Sequence, residues 1–280
     1  MRYSFSGHES FHCKSLWLKK GYDFLLASGR FSDTDSVVRL GVGKNMVASI
    51  RFWLRAFGMS SADELTKIAD YLFKSKTGRD PYSEDLNTLW LLHFLLVSHD
   101  IASLYHLVFI DYQRERKEFT RNELQTYIRR KCATPKQKNV YNENTVKKDI
   151  GVLLKNYVSP KDLKTIEDFS ALLISLNLIV PKSQDLYNFR EVGINEIAPE
   201  IILFALLSFG DNEKTISLDR LQNLSLIFCL PMISLIEIIR SLEQSYSGSI
   251  VFSDNSGIKN VQFLKDLDKF DILDNYYNSL

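Results

Sequence analysis

Apolar residues recur at helical spacing along most of this chain. Met46, Ile50, Trp53, Leu54 and Phe57 share one face at about 100° per residue, which predicts a helix from Lys44 to Phe57 that stops at Gly58. The pattern returns one hundred positions later as Val146, Ile150, Leu153, Leu154 and Tyr157, predicting a helix from Asn144 to Tyr157. A third copy, Leu235, Ile239, Leu242 and Tyr246, marks a helix over 231–246. Other helices are predicted at Ser15–Ser28 with Gly29 as its C-terminal cap, Asp33–Leu40, Glu84–His99, Arg121–Lys131, 196–208 and 217–225. Thr120 is a natural N-cap for the helix that follows it. Two pairs of short strands complete the pattern. One pair is Leu178–Pro181 with Leu186–Phe189; the other is Ile250–Phe252 with Val261–Phe263, around a turn-rich Ser253–Gly257.

These elements give a mainly α fold with short β-hairpins and several helix-turn-helix or winged-helix units. Three segments follow: an N-terminal helical domain at 1–112 with the first helix-turn-helix, a second helix-turn-helix at 113–180, and a winged-helix-like domain at 181–280.

Charge sharpens the picture. The net charge of +1 hides a strong asymmetry. Residues 1–60 hold nine Lys/Arg against four acids, and 114–155 hold twelve against five, whereas 184–223 hold three against seven. That distribution suits a polyanion partner for the first part of the chain and a different role for the last. On the first repeated helix the face opposite the apolar stripe carries Lys44, Asn45, Arg51 and Arg55 around the small Ala48. On the second it carries Asn144, Lys147, Lys148 and Lys155 around Gly151, with Lys136 and Lys138 in the polar connection before it. A helix enters the major groove when its outer face is unobstructed and offers donors to phosphates and base edges. The third repeated helix shows Glu237, Arg240 and Gln244 instead, a face suited to scaffolding or protein contact.

Other chemistries are poorly supported. The longest apolar run, Leu89–Val97, is interrupted by His93 and falls short of the roughly 18 residues a membrane span needs. With no apolar leader at Met1–His8, a cytosolic protein free of membrane is expected. Cys13, Cys132 and Cys229 lack metal or disulfide spacing and read as reduced structural thiols. Gly41-Val42-Gly43-Lys44-Asn45 is not a phosphate loop, because Val38 and Asn45 stand where glycine and Ser/Thr are required. Asp111, Glu115 and Lys117 loosely follow a nuclease spacing but lie in a charged helical run, and His93 reads as a core histidine.

The candidates for catalysis are His8, Glu9, Asp80, Glu84 and Asp85. Carboxylates around a divalent ion such as Mg2+ or Mn2+, with a histidine to move a proton, are what phosphodiester cleavage requires. The simpler alternative is structural. Ser83 would cap a helix whose first-turn Glu84 and Asp85 favour its dipole, and His8 with Glu9 would tie down the amino end.

Four stretches carry a family resemblance. Phe5-Ser6-Gly7-His8-Glu9-Ser10-Phe11, Trp17-Leu18-Lys19-Lys20-Gly21, Leu40-Gly41-Val42-Gly43-Lys44-Asn45-Met46-Val47, and Asp80-Pro81-Tyr82-Ser83-Glu84-Asp85 with Thr88–His93 together resemble the SspB-type proteins of bacterial DNA phosphorothioation gene clusters. His12-Cys13-Lys14 departs from the aromatic and basic pattern of that family, which leaves the role of that stretch open. The resemblance implies a component that binds double-stranded DNA where sulfur is placed on the backbone, with nicking of one strand as a further activity. It also implies partnership with a sulfur-transfer reductase-like enzyme or an ATPase of the same system, and self-association as a homodimer. A non-enzymatic recognition and recruitment subunit, or a transcription regulator of the same cluster, are the alternatives.

Overall fold

The structure, a computed structural model, describes residues 2–160, 170–210, 213–255 and 258–280. They form two compact units, Met1–Arg190 and Glu191–Leu280. The segments 1–112 and 113–180, set apart in sequence by charge, both lie within the first unit. It extends to Arg190 because a strand near residue 119 pairs with one near residue 187.

The first unit begins with α1 (Trp17–Leu26), α2 (Ser36–Leu40) and α3 (Lys44–Ala56). Helix α1 buries Trp17, Leu18, Tyr22 and Phe24, and α3 buries Val47, Ile50, Trp53 and Leu54. Gly21 sits where the two helices cross: a Cβ there would stand 2.6 Å from Leu54 Cδ1 and 2.8 Å from Ile50 Cγ2. Helix α1 ends at Ala27 rather than with a glycine cap, and Ser28 takes the left-handed turn at φ 56°. A short ladder, β1 (Ser60–Ser61) and β2 (Glu64–Leu65), then α4 (Lys67–Phe73), lead to α5 (Leu86–Ser98). Helix α5 is buried on every side from Thr88 to Val97, as an all-round apolar helix must be. Its cap is Asp85, which accepts the Thr88 N–H at 2.9 Å, not Ser83, which lies in the turn before it at φ 54°. Helix α6 (Ser103–His106), a π-helical turn (Leu107–Tyr112) and α7 (Gln113–Glu115) follow.

The unit closes with β3 (Glu118–Thr120), α8 (Arg121–Lys131), α9 (Glu143–Tyr157), β4 (Ile179–Pro181) and β5 (Leu186–Phe189). Thr120 and Glu123 form a reciprocal capping box at the start of α8, and Asn142 caps α9 through the Thr145 N–H. The antiparallel sheet runs β3-β5-β4, with Phe119 opposite Tyr187 and Val180 opposite Asn188.

The second unit repeats this connectivity after α10 (Pro199–Gly210). Strand β6 (Thr215–Ser217) leads to α11 (Leu218–Ile227), α12 (Met232–Ser245), β7 (Ile250–Asn255) and β8 (Ile258–Phe263), with α13 (Lys269–Tyr277) last. Its sheet runs β6-β8-β7, again with the first strand beside the third. Helices α11 and α12 bend by 108° at a four-residue break. Ser256 and Gly257, part of the expected turn, lie outside the described residues. No single helix among the described residues is long and apolar enough to cross a membrane.

Candidate nucleic-acid interface

Helix α9 is anchored by its inner face. Val146, Ile150, Leu153, Leu154 and Tyr157 are buried, and His93 in the core of α5 bonds the Tyr157 hydroxyl through Nδ1 at 2.7 Å. Two polar residues on α9 are also buried, and each has a structural task. Asp149 accepts the Ser6 N–H at 2.8 Å and contacts His8 Nε2 at 2.9 Å. Asn156 accepts the Cys13 N–H at 3.1 Å and donates to the Tyr105 hydroxyl at 2.6 Å. Burial raises the pKa of Tyr105 and of the Cys13 thiol well above their ordinary values, so Cys13 stays protonated and unreactive.

The amino-terminal stretch is thus laced to the helices it crosses. His8 stacks on Trp53 of α3 with ring centroids 6.0 Å apart, and Trp53 Nε1–H donates to the Phe11 carbonyl. Ser10 N–H donates to His8 Nδ1 at 3.1 Å, so Nε2 carries the hydrogen given to Asp149. Gly7 adopts φ 100°, and a Cβ there would lie 2.6 Å from Phe52 Cδ2. The His12–Lys14 stretch, whose role the sequence left open, makes the same kind of junction. Lys14 pairs with Ala171 as an isolated bridge, and Leu172 N–H donates to the Cys13 carbonyl at 2.9 Å.

The catalytic candidates fall in separate settings. His8 bonds Asp149 rather than Glu9, which is exposed. Both Asp80 oxygens are used in its own turn, accepting the Glu84 N–H at 3.0 Å and the Asp85 N–H at 2.9 Å. Asp85 caps α5, and Glu84 is exposed. Among the described residues no group of three His, Cys, Asp or Glu side chains is placed to hold a metal ion. Asp111 and Glu115, the nuclease-like pair, form ion pairs with Lys131 at 3.1 Å and Arg130 at 3.0 Å.

The basic candidates are all exposed: Lys44, Asn45, Ala48, Arg51 and Arg55 on α3, Asn144, Lys147, Lys148 and Lys155 on α9, and Lys136 and Lys138 before it. Lys44, Ala48, Arg51 and Arg55 line one groove of about 640 Å3, whose far side is the stretch from Phe31 to Val37. Arg51 is held there by Asp63 in a bidentate pair, Nε–Oδ1 2.8 Å and Nη2–Oδ2 2.7 Å. Lys147 and Lys155 line a second cavity, between α9 and the β4–β5 hairpin, with Gly151 between them. Arg121, which sequence reasoning passed over, stands at this second cavity. It bonds the Tyr187 hydroxyl at 2.8 Å and pairs with Asp185 at 3.6 Å. Its position just after the Thr120 cap was the sequence feature that could have found it. On α12 the outer residues Glu237, Arg240 and Gln244 are exposed, with Arg240 over the Phe252 ring at 5.8 Å.

Residues 5–277 match the model of a family described as a protein of unknown function, DUF4007. The chain belongs to that family. No curated protein matches it significantly. Two solved structures share the fold of this DUF4007 chain. One, described as a magnesium ion-bound SspB crystal structure, is 25% identical with a TM-score of 0.81. The other, an SspB crystal structure, is 23% identical with a TM-score of 0.82. Each comparison covers 98% of this chain and 88% of the other. The SspB-type resemblance read from residues 5–93 therefore holds along the whole fold.

Proposed function

We propose that this protein binds duplex DNA as the recognition component of a bacterial phosphorothioation system, and brings a sulfur-transfer reductase-like enzyme or ATPase of that system to the site. The observation that carries the reading is the outer face of α9. Lys147, Lys148 and Lys155 are exposed there opposite a fully buried apolar face, on the second helix of a strand–helix–helix–strand–strand unit. Winged helices place such a helix in the major groove, and ammonium groups there displace the counterions of the phosphates. Arg51, Arg55 and Lys44 supply a second basic surface on the same unit. The likeness to SspB supports the choice of system. The decisive experiment is a mobility-shift titration over a range of salt. Log affinity should fall linearly with log salt, by about 0.9 for each phosphate neutralised. A flat response would remove the basis of the proposal.

Strand nicking is a second reading, favoured by the magnesium ion in one SspB structure. Incubating supercoiled plasmid with the protein and Mg2+ or Mn2+ tests it, since a nickase yields open circles. A transcription regulator would instead protect a single operator in a footprint across the cluster.

A further inference from the structure

The cavity beside α9 matches the groove beside α3 in size but is lined differently. Its volume is about 670 Å3, within the range of about 300–1,000 Å3 usual for small-ligand sites. Leu154, Val158 and Pro181 give it an apolar wall, while Arg121, Lys147 and Lys155 supply positive charge. The α3 groove, which also has apolar residues in Phe31, Val37, Val47 and Phe52, sets Ser32, Asp33, Thr34 and Ser36 among its cations. A duplex backbone is served by cations and polar donors and has no need of an apolar wall. An apolar wall beside cations suits a whole nucleotide, whose base gains by leaving water and whose phosphate needs positive charge. Gly151 lines the cavity, and among the described residues a Cβ built on it meets nothing within 4 Å. The Arg121 guanidinium is held in place by the Tyr187 hydroxyl and lies 5.7 Å from the centre of that ring.

We infer that this cavity takes one unstacked nucleotide, its base against Leu154, Val158 and Pro181 and its phosphate among Arg121, Lys147 and Lys155. The inference rests on the DNA-binding reading for the source of that nucleotide; a free deoxynucleotide would present the same chemistry. Extracting a base from a duplex costs least where it is already unpaired. A duplex with a single-base bulge should therefore bind more tightly than the same duplex fully paired.

The test measures both duplexes, and deoxyadenosine monophosphate alone, against the full chain. The wild type should prefer the bulged duplex by about tenfold. Gly151→Leu, which fills the open space, should bring that ratio to about one, and circular dichroism confirms that the helix persists. Lys155→Glu repeats the test at an exposed position, away from the packed side of α9. A ratio of one in a wild type that binds paired duplex overturns the cavity inference and leaves the DNA reading intact. A preference that survives both substitutions overturns it too. Nucleotide binding that Gly151→Leu abolishes, with no duplex binding, would uphold the cavity and sink the DNA reading. Binding of none of the three ligands would sink both.

Discussion

His8 lies 141 residues from Asp149 along the chain, and its Nε2 stands 2.9 Å from Asp149 Oδ1. The contact is buried and joins the amino-terminal stretch to α9, while the imidazole stacks on Trp53 of α3. One side chain therefore braces both basic helices from behind.

That placement gives His8 and Asp149 a structural task. Asp149→Ala strands the buried His8 Nε2–H and the part-buried Ser6 N–H, and a buried donor without an acceptor costs about 1–3 kcal/mol. The expected loss is about 2–4 kcal/mol in urea unfolding, with DNA affinity per folded molecule unchanged. A His8→Ala protein as stable as the wild type but devoid of a DNA-directed activity would contradict this assignment.

Arg51 and Arg55 should each contribute about 1–3 kcal/mol to DNA binding if they reach base edges. Arg51 is partly neutralised by Asp63, and exposed ion pairs of this kind are worth about 1 kcal/mol or less. Asp63→Asn should therefore tighten duplex binding by roughly twofold to fivefold. Weaker binding in that variant would show that Asp63 aligns Arg51 for DNA rather than competing for it.

The capping box on α8 sets a pH dependence. Hydrogen bonds from the Thr120 backbone N–H, and then from its hydroxyl, hold the Glu123 carboxyl below its ordinary pKa. A depressed carboxylate stabilises the fold above its unfolded pKa, and that contribution is lost as pH falls through the folded value. Thr120→Ala should cost about 1 kcal/mol at neutral pH. Thermal melts should show the difference from wild type shrinking as pH falls through the lowered pKa of Glu123 and its carboxyl takes up a proton.

The two units divide the charge, and so should divide the binding. A fragment of residues 1–190 should keep most of the affinity for duplex, and 191–280 should bind little. Ending the first fragment at 158, where the basic segment stops, would remove β4 and β5 and leave β3 without a sheet partner. Circular dichroism and mobility shifts on the fragments check both points. Tight duplex binding by a folded 191–280 fragment would move the interface to α12.

Most helices were legible because their buried faces recur at the helical period, as on α3, α9 and α12. Elements with weak or very local patterns were not. Strand β3 is three residues long and owes its existence to β5, far along the chain, where Phe119 pairs with Tyr187. Helix α13 ends the chain with a cap at Asp268 that its neighbours do not advertise. The basic candidates could be picked out because solvent-exposed charge opposite an apolar stripe is visible in one helix. The partner of His8 could not, because nothing local in Ser6–Ser10 names Asp149. The motif looks chemical in the sequence, and the structure gives its histidine a buried, long-range partner that no local pattern announces.

The same pairing sets a timetable for synthesis. A ribosome adding about 5–20 residues per second needs roughly 7–28 s to travel from His8 to Asp149. Through that interval the amino-terminal stretch has no acceptor for its Nε2–H, and Trp53 lacks the brace behind it. Helix α3 can pack on α1 at once, but His93 of α5 waits for Tyr157 of α9, so this part of the core closes only after residue 157 has left the exit tunnel. Delayed closure of this kind should make the yield of folded protein sensitive to the pace of translation across residues 1–157.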